Sequence, residues 1–132
     1  MVAKDALPVP SEEDECKALM RWVGAHLGRW PELRLFYHTA NEGKRTPQQG
    51  ARLKAMGLHA GVSDYFLPVP RGGMHGLWLE MKRRKGGHIE PEQAAWIGEM
   101  LGQGYAACVC RGWEDAARAI REYMTGGAVN EP

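Results

Sequence analysis

Apolar positions recur with two different spacings along this chain, and the change of spacing separates the predicted helices from the predicted strands. After Ser11, a good N-cap, they recur every three or four residues, which predicts a helix. Apolar segments that end at turn residues predict strands over 33–38, 62–67, 76–82 and 105–110. The predicted order is helix, strand, helix, strand, strand, helix, strand, helix, which is typical of an α/β sandwich around one mixed sheet.

Capping residues mark the ends of the later predicted helices. Thr46, Pro47 and Gln49 combine an N-cap, a proline at the first helical position and a capping-box amide. Gly57 is placed to end that helix. A further helix opens at Glu90-Pro91.

The predicted strand 76–82 has two faces of different chemistry, because successive side chains point to opposite sides of a strand. One face carries Leu77, Leu79 and Met81, and the other carries Trp78, Glu80 and Lys82. A glutamate and a lysine are costly to bury unless something compensates them, and a divalent cation held by Glu80 and Asp64 would do so. The alternative is a solvated strand face with alternating charges.

Asp64 lies in the preceding predicted strand, which ends at Pro68-Val69-Pro70. The segment between Asp64 and Glu80 carries Arg71-Gly72-Gly73 and has a length that suits two adjacent strands joined by a turn. We therefore expect the two carboxylates to converge.

Four stretches of the chain resemble, in order, the motifs of the VRR-NUC (virus-type replication-repair nuclease) domain in its small standalone form. They are His38 to Arg45, Gly61 to Asp64, Glu80 to Lys82 and Glu90 to Gln93. An Asp followed on the next strand by Glu-x-Lys also resembles the active site of the PD-(D/E)xK nucleases, with Ser63 at the position of the proline. The family usually has a Gln four residues after its first-helix Glu, where this chain has Cys16.

The resemblance implies an α/β, PD-(D/E)xK nuclease-like core with a central mixed sheet flanked by helices, and metal-dependent hydrolysis of DNA. The implied metal ligands are Glu12, Asp64, Glu80 and the carbonyl of Met81, and the implied catalytic residues are Asp64, Glu80, Lys82 and Gln93. Such hard oxygen ligands suit Mg²⁺ or Mn²⁺. Lys82 would orient or help deprotonate the attacking water. The known activity of such domains implies that the substrate is branched DNA, either a four-way junction or a flap. It also implies a homodimer that cuts two strands symmetrically.

Glu12 and Gln93 each have a second interpretation. A helical wheel places Glu12 within the apolar stripe of the first helix, with Glu13 and Glu15 at its flanks and Asp14 opposite. The helix dipole accounts for acids in a first turn, though less well for Glu12. Gln93 shares an apolar stripe, so its amide must find partners. By the resemblance these are catalytic groups or water, and the alternative is a structural hydrogen bond to the backbone.

With a net charge of +1 the chain as a whole is not strongly basic, but its cationic residues are clustered. The predicted nucleic-acid contacts are Lys44, Arg45, Arg83, Arg84 and Lys85. Alternatively, Arg83, Arg84 and Lys85 lie at a solvated strand end. Lys44 and Arg45 would then be exposed cations that precede a helix.

A chain of 132 residues with 44% hydrophobic residues can bury one core, so we expect one domain. Its predicted range is 11–124, with flexible ends over 1–10 and 125–132. The sequence has no apolar run of membrane-spanning length and no secretory signal, which predicts a cytoplasmic protein without a membrane partner. Its three cysteines predict buried reduced thiols rather than a disulfide framework or a zinc site.

Two rival functions remain from the residues alone. A non-catalytic nucleic-acid-binding module could keep the nuclease fold, but it would not need Asp64, Glu80 and Lys82 together. A hydrolase of small phosphoesters would need a closed pocket instead of an open basic groove.

Overall fold

The structure, a computed structural model, describes residues 8–39 and 45–127 of the chain. In order, the elements of this part are α1 (Glu12–Ala25), a 3₁₀ helix (Pro31–Leu35), β1 (Tyr37–His38), α2 (Pro47–Ala55), β2 (Tyr65–Leu67), β3 (Leu77–Lys82), α3 (Pro91–Gly102), β4 (Ala106–Arg111) and α4 (Trp113–Met124). The strands form one sheet in the order β1-β2-β3-β4. The first two pairings are antiparallel and β3 pairs with β4 in parallel, so the predicted mixed sheet is confirmed.

Helices cover both faces of this sheet. α1 and α4 pack on the face of β3 that carries Leu77, Leu79 and Met81, all completely buried. α3 lies against the opposite face, where Gln93 and Trp96 contact β3. The predicted division of strand 76–82 into an apolar face and a face that carries Trp78, Glu80 and Lys82 is therefore confirmed.

The prediction of a strand over 33–38 is largely wrong. Residues 31–35 form the 3₁₀ helix, and only Tyr37–His38 pair with β2. Pro31 starts the helix, since a proline is preset for the first turn. Trp30, Leu33 and Phe36 are the buried residues here, and their spacing of three is that of a 3₁₀ turn.

β2 begins at Tyr65 and is shorter than the predicted strand 62–67. Asp64 still lies at the sheet, because the Thr39 N–H donates to the Asp64 carbonyl at 2.8 Å and extends the β1–β2 pairing. β3 and β4 match their predicted ranges to within one residue.

The predicted helix caps are confirmed. The Ser11 side chain accepts from the Asp14 N–H, and Thr46 and Gln49 form a capping box. α2 ends one residue before Met56, and Gly57 follows with a positive φ of 105°. The helix boundaries on both sides of the sheet therefore follow from local sequence.

Cys108 and Cys110 are buried on β4 as free thiols with their Sγ atoms 3.6 Å apart, which confirms their predicted burial. Contact with Cys108, together with burial, raises the pKa of Cys110. This thiol therefore stays protonated.

No helix within residues 8–39 and 45–127 combines the length and apolar character that crossing a membrane requires. The predicted flexible ends fall mostly on residues 1–7 and 128–132, outside the described residues, and the domain range 11–124 stays a prediction.

Candidate active site

Asp64 and Glu80 face each other across the β2–β3 pairing. Tyr65 lies opposite Leu79, so the next position of this antiparallel register sets Asp64 opposite Glu80. The Asp64 N–H donates to Glu80 Oε1 at 3.2 Å, and the Met81 N–H donates to Asp64 Oδ2 at 2.7 Å. Each carboxylate is thus held by the backbone of the other strand, and the expected convergence is confirmed.

Two side chains bracket the second oxygen of Glu80. Gln93 Nε2 donates to Glu80 Oε2 at 2.9 Å, and Lys82 Nζ lies 3.6 Å from the same oxygen. The Gln93 amide also accepts from the Glu90 N–H at 2.9 Å through its Oε1 atom. One end of the amide therefore makes the structural backbone bond that caps α3 and the other end holds Glu80, while a catalytic role of Gln93 stays a prediction.

This group of side chains is buried and contains more acidic than basic groups. Asp64, Glu80 and Lys82 are 3%, 1% and 6% exposed. Two buried carboxylates next to one ammonium leave a negative charge, and buried charge is costly unless it is compensated. A divalent cation would balance it, so the donor set fits the predicted metal.

The site supplies two carboxylates at one place rather than a larger ligand cluster. Within residues 8–39 and 45–127, no group of three or more His, Cys, Asp or Glu side chains is arranged to hold a metal ion. Mg²⁺ commonly takes one or two carboxylates and keeps several of its waters. Asp64 and Glu80 therefore match Mg²⁺ or the similar Mn²⁺ better than a metal that needs a complete protein cage.

Gly61 brings the chain before β2 against the first turn of α3. Its φ is +84°, and a Cβ atom there would collide with the backbone carbonyl of Glu92. Glycine alone fits both the conformation and the close approach. The contact sets the start of α3 beside Asp64 and thereby holds Gln93 next to Glu80.

Replacing Gly61 with alanine should lower the free energy of unfolding by about 3 kcal/mol, because a strained backbone adds to a collision with rigid backbone. Gly57 is the matched control, since its φ is +105° but no atom lies within 4 Å of the place where a methyl group would stand. Gly57→Ala should therefore cost only about 1 kcal/mol, from strain alone. Urea unfolding of both variants measures the difference, and equal losses would contradict the contact with Glu92.

The helical wheel was wrong about which first-helix acid is buried. Glu15 is 1% exposed, whereas Glu12 is only half-buried. Glu12 lines a groove of about 590 Å³ that also contacts His38 and Tyr65. Glu12 as a metal ligand stays a prediction.

Glu15 forms an ion pair with Arg84 at the end of β3. Arg84 Nε and Nη2 donate to the two Glu15 carboxylate oxygens at 2.7 and 2.9 Å, and Nη2 also donates to Glu114 at 2.9 Å. The Trp113 N–H adds a bond to Glu15 Oε1 at 3.3 Å. The Arg84 hydrogen bonds hold the pKa of Glu15 below its ordinary value of 4.5 and raise the pKa of Arg84 in turn. We infer that Arg84 ties α1 to α4 and to the end of β3.

The other predicted nucleic-acid contacts differ in their surroundings. Arg83 and Lys85 are exposed, and Arg45 lines a cavity with Lys54. Lys44 lies outside the described residues. The roles of these cations in nucleic-acid binding stay predictions, and for Arg84 the two ion pairs offer a structural role instead.

Two neighbouring cavities meet at Ala60 and Gly61, and Asp64 lines one of them. The first, which we call the acid cavity, has about 220 Å³ and is lined by Asp64, Gln93, Glu90 and Glu92. The second, the basic cavity, contains Arg45 and Lys54, and it shares Ala60 and Gly61 with the first. A groove with cations at one end and carboxylates at the other therefore leads to the site.

Sequence reasoning missed the contact of Gly61 with α3 and the role of Glu15. A glycine shortly before a strand was the available signal for Gly61, but its close approach to Glu92 depends on α3, which follows much later in the chain. An acid next to an apolar stripe was the signal for Glu15.

Comparison with known proteins yields one informative likeness. No family model and no curated protein matches the chain. A solved structure described as a VRR_NUC domain protein matches it with 26% sequence identity and a TM-score of 0.75, covering 92% of this chain and 94% of that chain. The likeness thus extends over nearly the whole chain.

Proposed function

We propose that this chain, a VRR-NUC domain with the PD-(D/E)xK nuclease-like α/β fold, is an endonuclease that hydrolyses DNA phosphodiester bonds with the help of divalent metal ions. The observation that carries the proposal is the mutual bracing of Asp64 and Glu80, with Lys82 and Gln93 on the second glutamate oxygen. Side chains fixed in this way before substrate binds need little reorganisation during reaction, which is where much catalytic power arises.

Asp64, Glu80 and the carbonyl of Met81 would hold Mg²⁺ or Mn²⁺, and Glu12 would contribute directly or through a water molecule. When bound, the ion lowers the pKa of a water and neutralises charge on the phosphate oxygens. Buried carboxylates are suited to this role because they are shielded from solvent and held in a fixed orientation.

Lys82 lies beside Glu80 on the same face of β3, so it would orient the attacking water or help to remove its proton. Gln93 holds Glu80 in one orientation through its amide hydrogen bond. Its tie to the Glu90 N–H fixes the amide, so Glu80 cannot turn away from Asp64 without breaking its bonds to the Asp64 N–H and to Gln93.

The substrate would lie in the groove that the acid and basic cavities form. Arg45 and Lys54 at one end, with Arg83 and Lys85 at the end of β3, would contact phosphates. We further propose that the substrate is branched DNA, a four-way junction or a flap, and that the chain acts as a homodimer. Two copies related by a two-fold axis would present two sites to two strands of a junction.

A cleavage assay on matched four-way, flap, single-stranded and duplex DNA tests this function. Each substrate is incubated with Mg²⁺, Mn²⁺ or EDTA. We expect cutting of the branched substrates with either metal and none with EDTA. DNA binding without cutting under every metal condition would instead support a non-catalytic module. Size-exclusion chromatography with light scattering, with and without a four-way junction, tests the homodimer.

Lys82 should act on turnover, whereas its exposed neighbours Arg83 and Lys85 should act on affinity. Lys82→Met should lower the single-turnover rate at saturating DNA about a hundredfold with little change in Kd. Arg83→Ala combined with Lys85→Ala should raise Kd and flatten its salt dependence, because phosphate contacts release counterions. Fluorescence anisotropy at several salt concentrations and quenched-flow cleavage separate the two effects. Identical losses in both variants would make Lys82 part of a plain electrostatic patch.

A further inference from the structure

A third cavity borders the acid cavity along α3. It has about 520 Å³ and contains His59, Trp96, Met100, Glu92 and Glu99. Glu92 also lines the acid cavity, and Ala60 lines all three cavities. We call it the Trp96 cavity. It therefore borders the acid cavity, which Asp64 lines, and meets the basic cavity at Ala60.

The walls of the Trp96 cavity are aromatic and apolar, with acids beside them. The rings of His59 and Trp96 are 5.1 Å apart, and Met100 adds a thioether. The indole Nε1 of Trp96 is buried, so the part of the ring that the cavity exposes is carbon. Such a surface suits the flat face of a ring.

The charges of the Trp96 cavity favour a neutral group with N–H donors over a phosphate. Glu92 and Glu99 are exposed carboxylates in its wall. Carboxylates repel phosphate, but they accept hydrogen bonds from the amino groups of bases such as cytosine. In a duplex one hydrogen of each amino group is already paired and the base faces are stacked, so no face is free to lie on an aromatic ring. A base from an unpaired nucleotide meets both requirements.

Trp96 is also held firmly enough to serve as a stacking surface. Its ring meets Trp78 edge to face at 5.2 Å, and Trp78 in turn stacks on Phe66 at 4.2 Å. Trp78 lies on β3, two residues before Glu80 and on the same face of the sheet. The stacking surface and the catalytic carboxylates thus share one rigid support.

We propose that the Trp96 cavity binds an unpaired nucleobase of the DNA strand whose phosphate lies at Asp64 and Glu80. This inference rests on the proposed nuclease function. It would explain why the nuclease prefers branch points, because unpaired bases occur there. Binding of the base would place the neighbouring backbone in the acid cavity, since the two cavities share Glu92.

The test compares a cytosine 15-mer with a 15-mer of the same charge that carries no bases. Fluorescence anisotropy in EDTA measures binding without cleavage. The wild-type chain should bind the cytosine strand more tightly. Trp96→Ala should weaken that binding about tenfold and leave the abasic strand unchanged, while Trp96→Phe keeps a ring and should retain most of the affinity. Trp22→Ala, on α1, is the control and should change neither.

Equal wild-type affinity for the two strands, or equal losses on both with Trp96→Ala, would overturn the inference. If Trp96→Ala does not fold, as judged by circular dichroism, Trp96→Phe and Trp96→Leu supply the same comparison of ring against no ring. Cleavage with Mn²⁺ is measured on the same proteins. Cutting without discrimination between the strands overturns the base site alone, and base-dependent binding without cutting overturns the nuclease function alone.

Discussion

Asp64→Asn and Glu80→Gln should each lower the cleavage rate at least about a thousandfold while DNA binding in EDTA persists. An amide carries no charge to hold a divalent cation, and the exposed cations that would contact phosphates are untouched. Single-turnover cleavage and anisotropy measure the two effects. Asp14→Asn is the matched control, since it makes the same chemical change on the exposed side of α1. Full activity in either site variant would contradict the assignment of the active site.

The same variants separate loss of chemistry from loss of folding. Asp64 and Glu80 are two buried carboxyl groups held close together, where ionising both is costly, so replacing one by an amide removes that cost. In Asp64→Asn, the oxygen of the new side-chain amide can still accept from the Met81 N–H. We therefore expect Asp64→Asn to unfold at the temperature of the wild-type chain or above it. A strained, charged site that costs stability is a common feature of catalytic centres.

Arg84→Ala should lower the free energy of unfolding by about 3 kcal/mol, because it leaves the buried Glu15 carboxylate without its partner. Arg83→Ala is the control. Its guanidinium is exposed and donates to the carbonyls of Val9 and Pro10 at the long distance of 3.4 Å, so the expected loss is within about 0.5 kcal/mol. Urea unfolding at pH 7 measures both. Losses of similar size would show that the ion pair with Glu15 contributes little.

The ion pair also predicts the direction of a pH dependence. Folding lowers the pKa of Glu15, so its contribution is complete above the ordinary value of 4.5 and is lost as the pH falls below that value through the folded-state pKa. Glu15→Gln removes this titration. The difference in unfolding free energy between wild type and Glu15→Gln should therefore be constant near neutral pH and shrink toward about pH 3. A difference that grows on acidification would contradict the lowered pKa.

Local spacing predicted the parts of the site that lie on single elements. The period of two in 76–82 separated Glu80 and Lys82 from the core residues of β3, and the turn before Gly76 indicated that Asp64 would lie on the adjacent strand. The stripe of α3 showed that Gln93 points inward. These conclusions required no knowledge of which helix covers which face of the sheet.

The spacing of apolar residues gave a wrong prediction where two periods fit the same residues. Leu33 and Phe36 are compatible with a strand and with a 3₁₀ turn, and Pro31 together with the buried Trp30 decided for the turn. In the first helix, Glu12 and Glu15 both lie near the apolar stripe. Glu15 is the buried acid because Arg84 and the first residue of α4 donate hydrogen bonds to it.

The sequence by itself determined the alternation of helices and strands, the two faces of β3 and the pairing of Asp64 with Glu80, because each follows from residues close in the chain. The tertiary structure alone decided that Arg84 pairs with Glu15, that Gly61 touches Glu92 and that Trp96 packs against Trp78. These contacts join elements far apart in sequence. Their partners are selected by how α1, α3 and α4 pack on the sheet, and no local period carries that information.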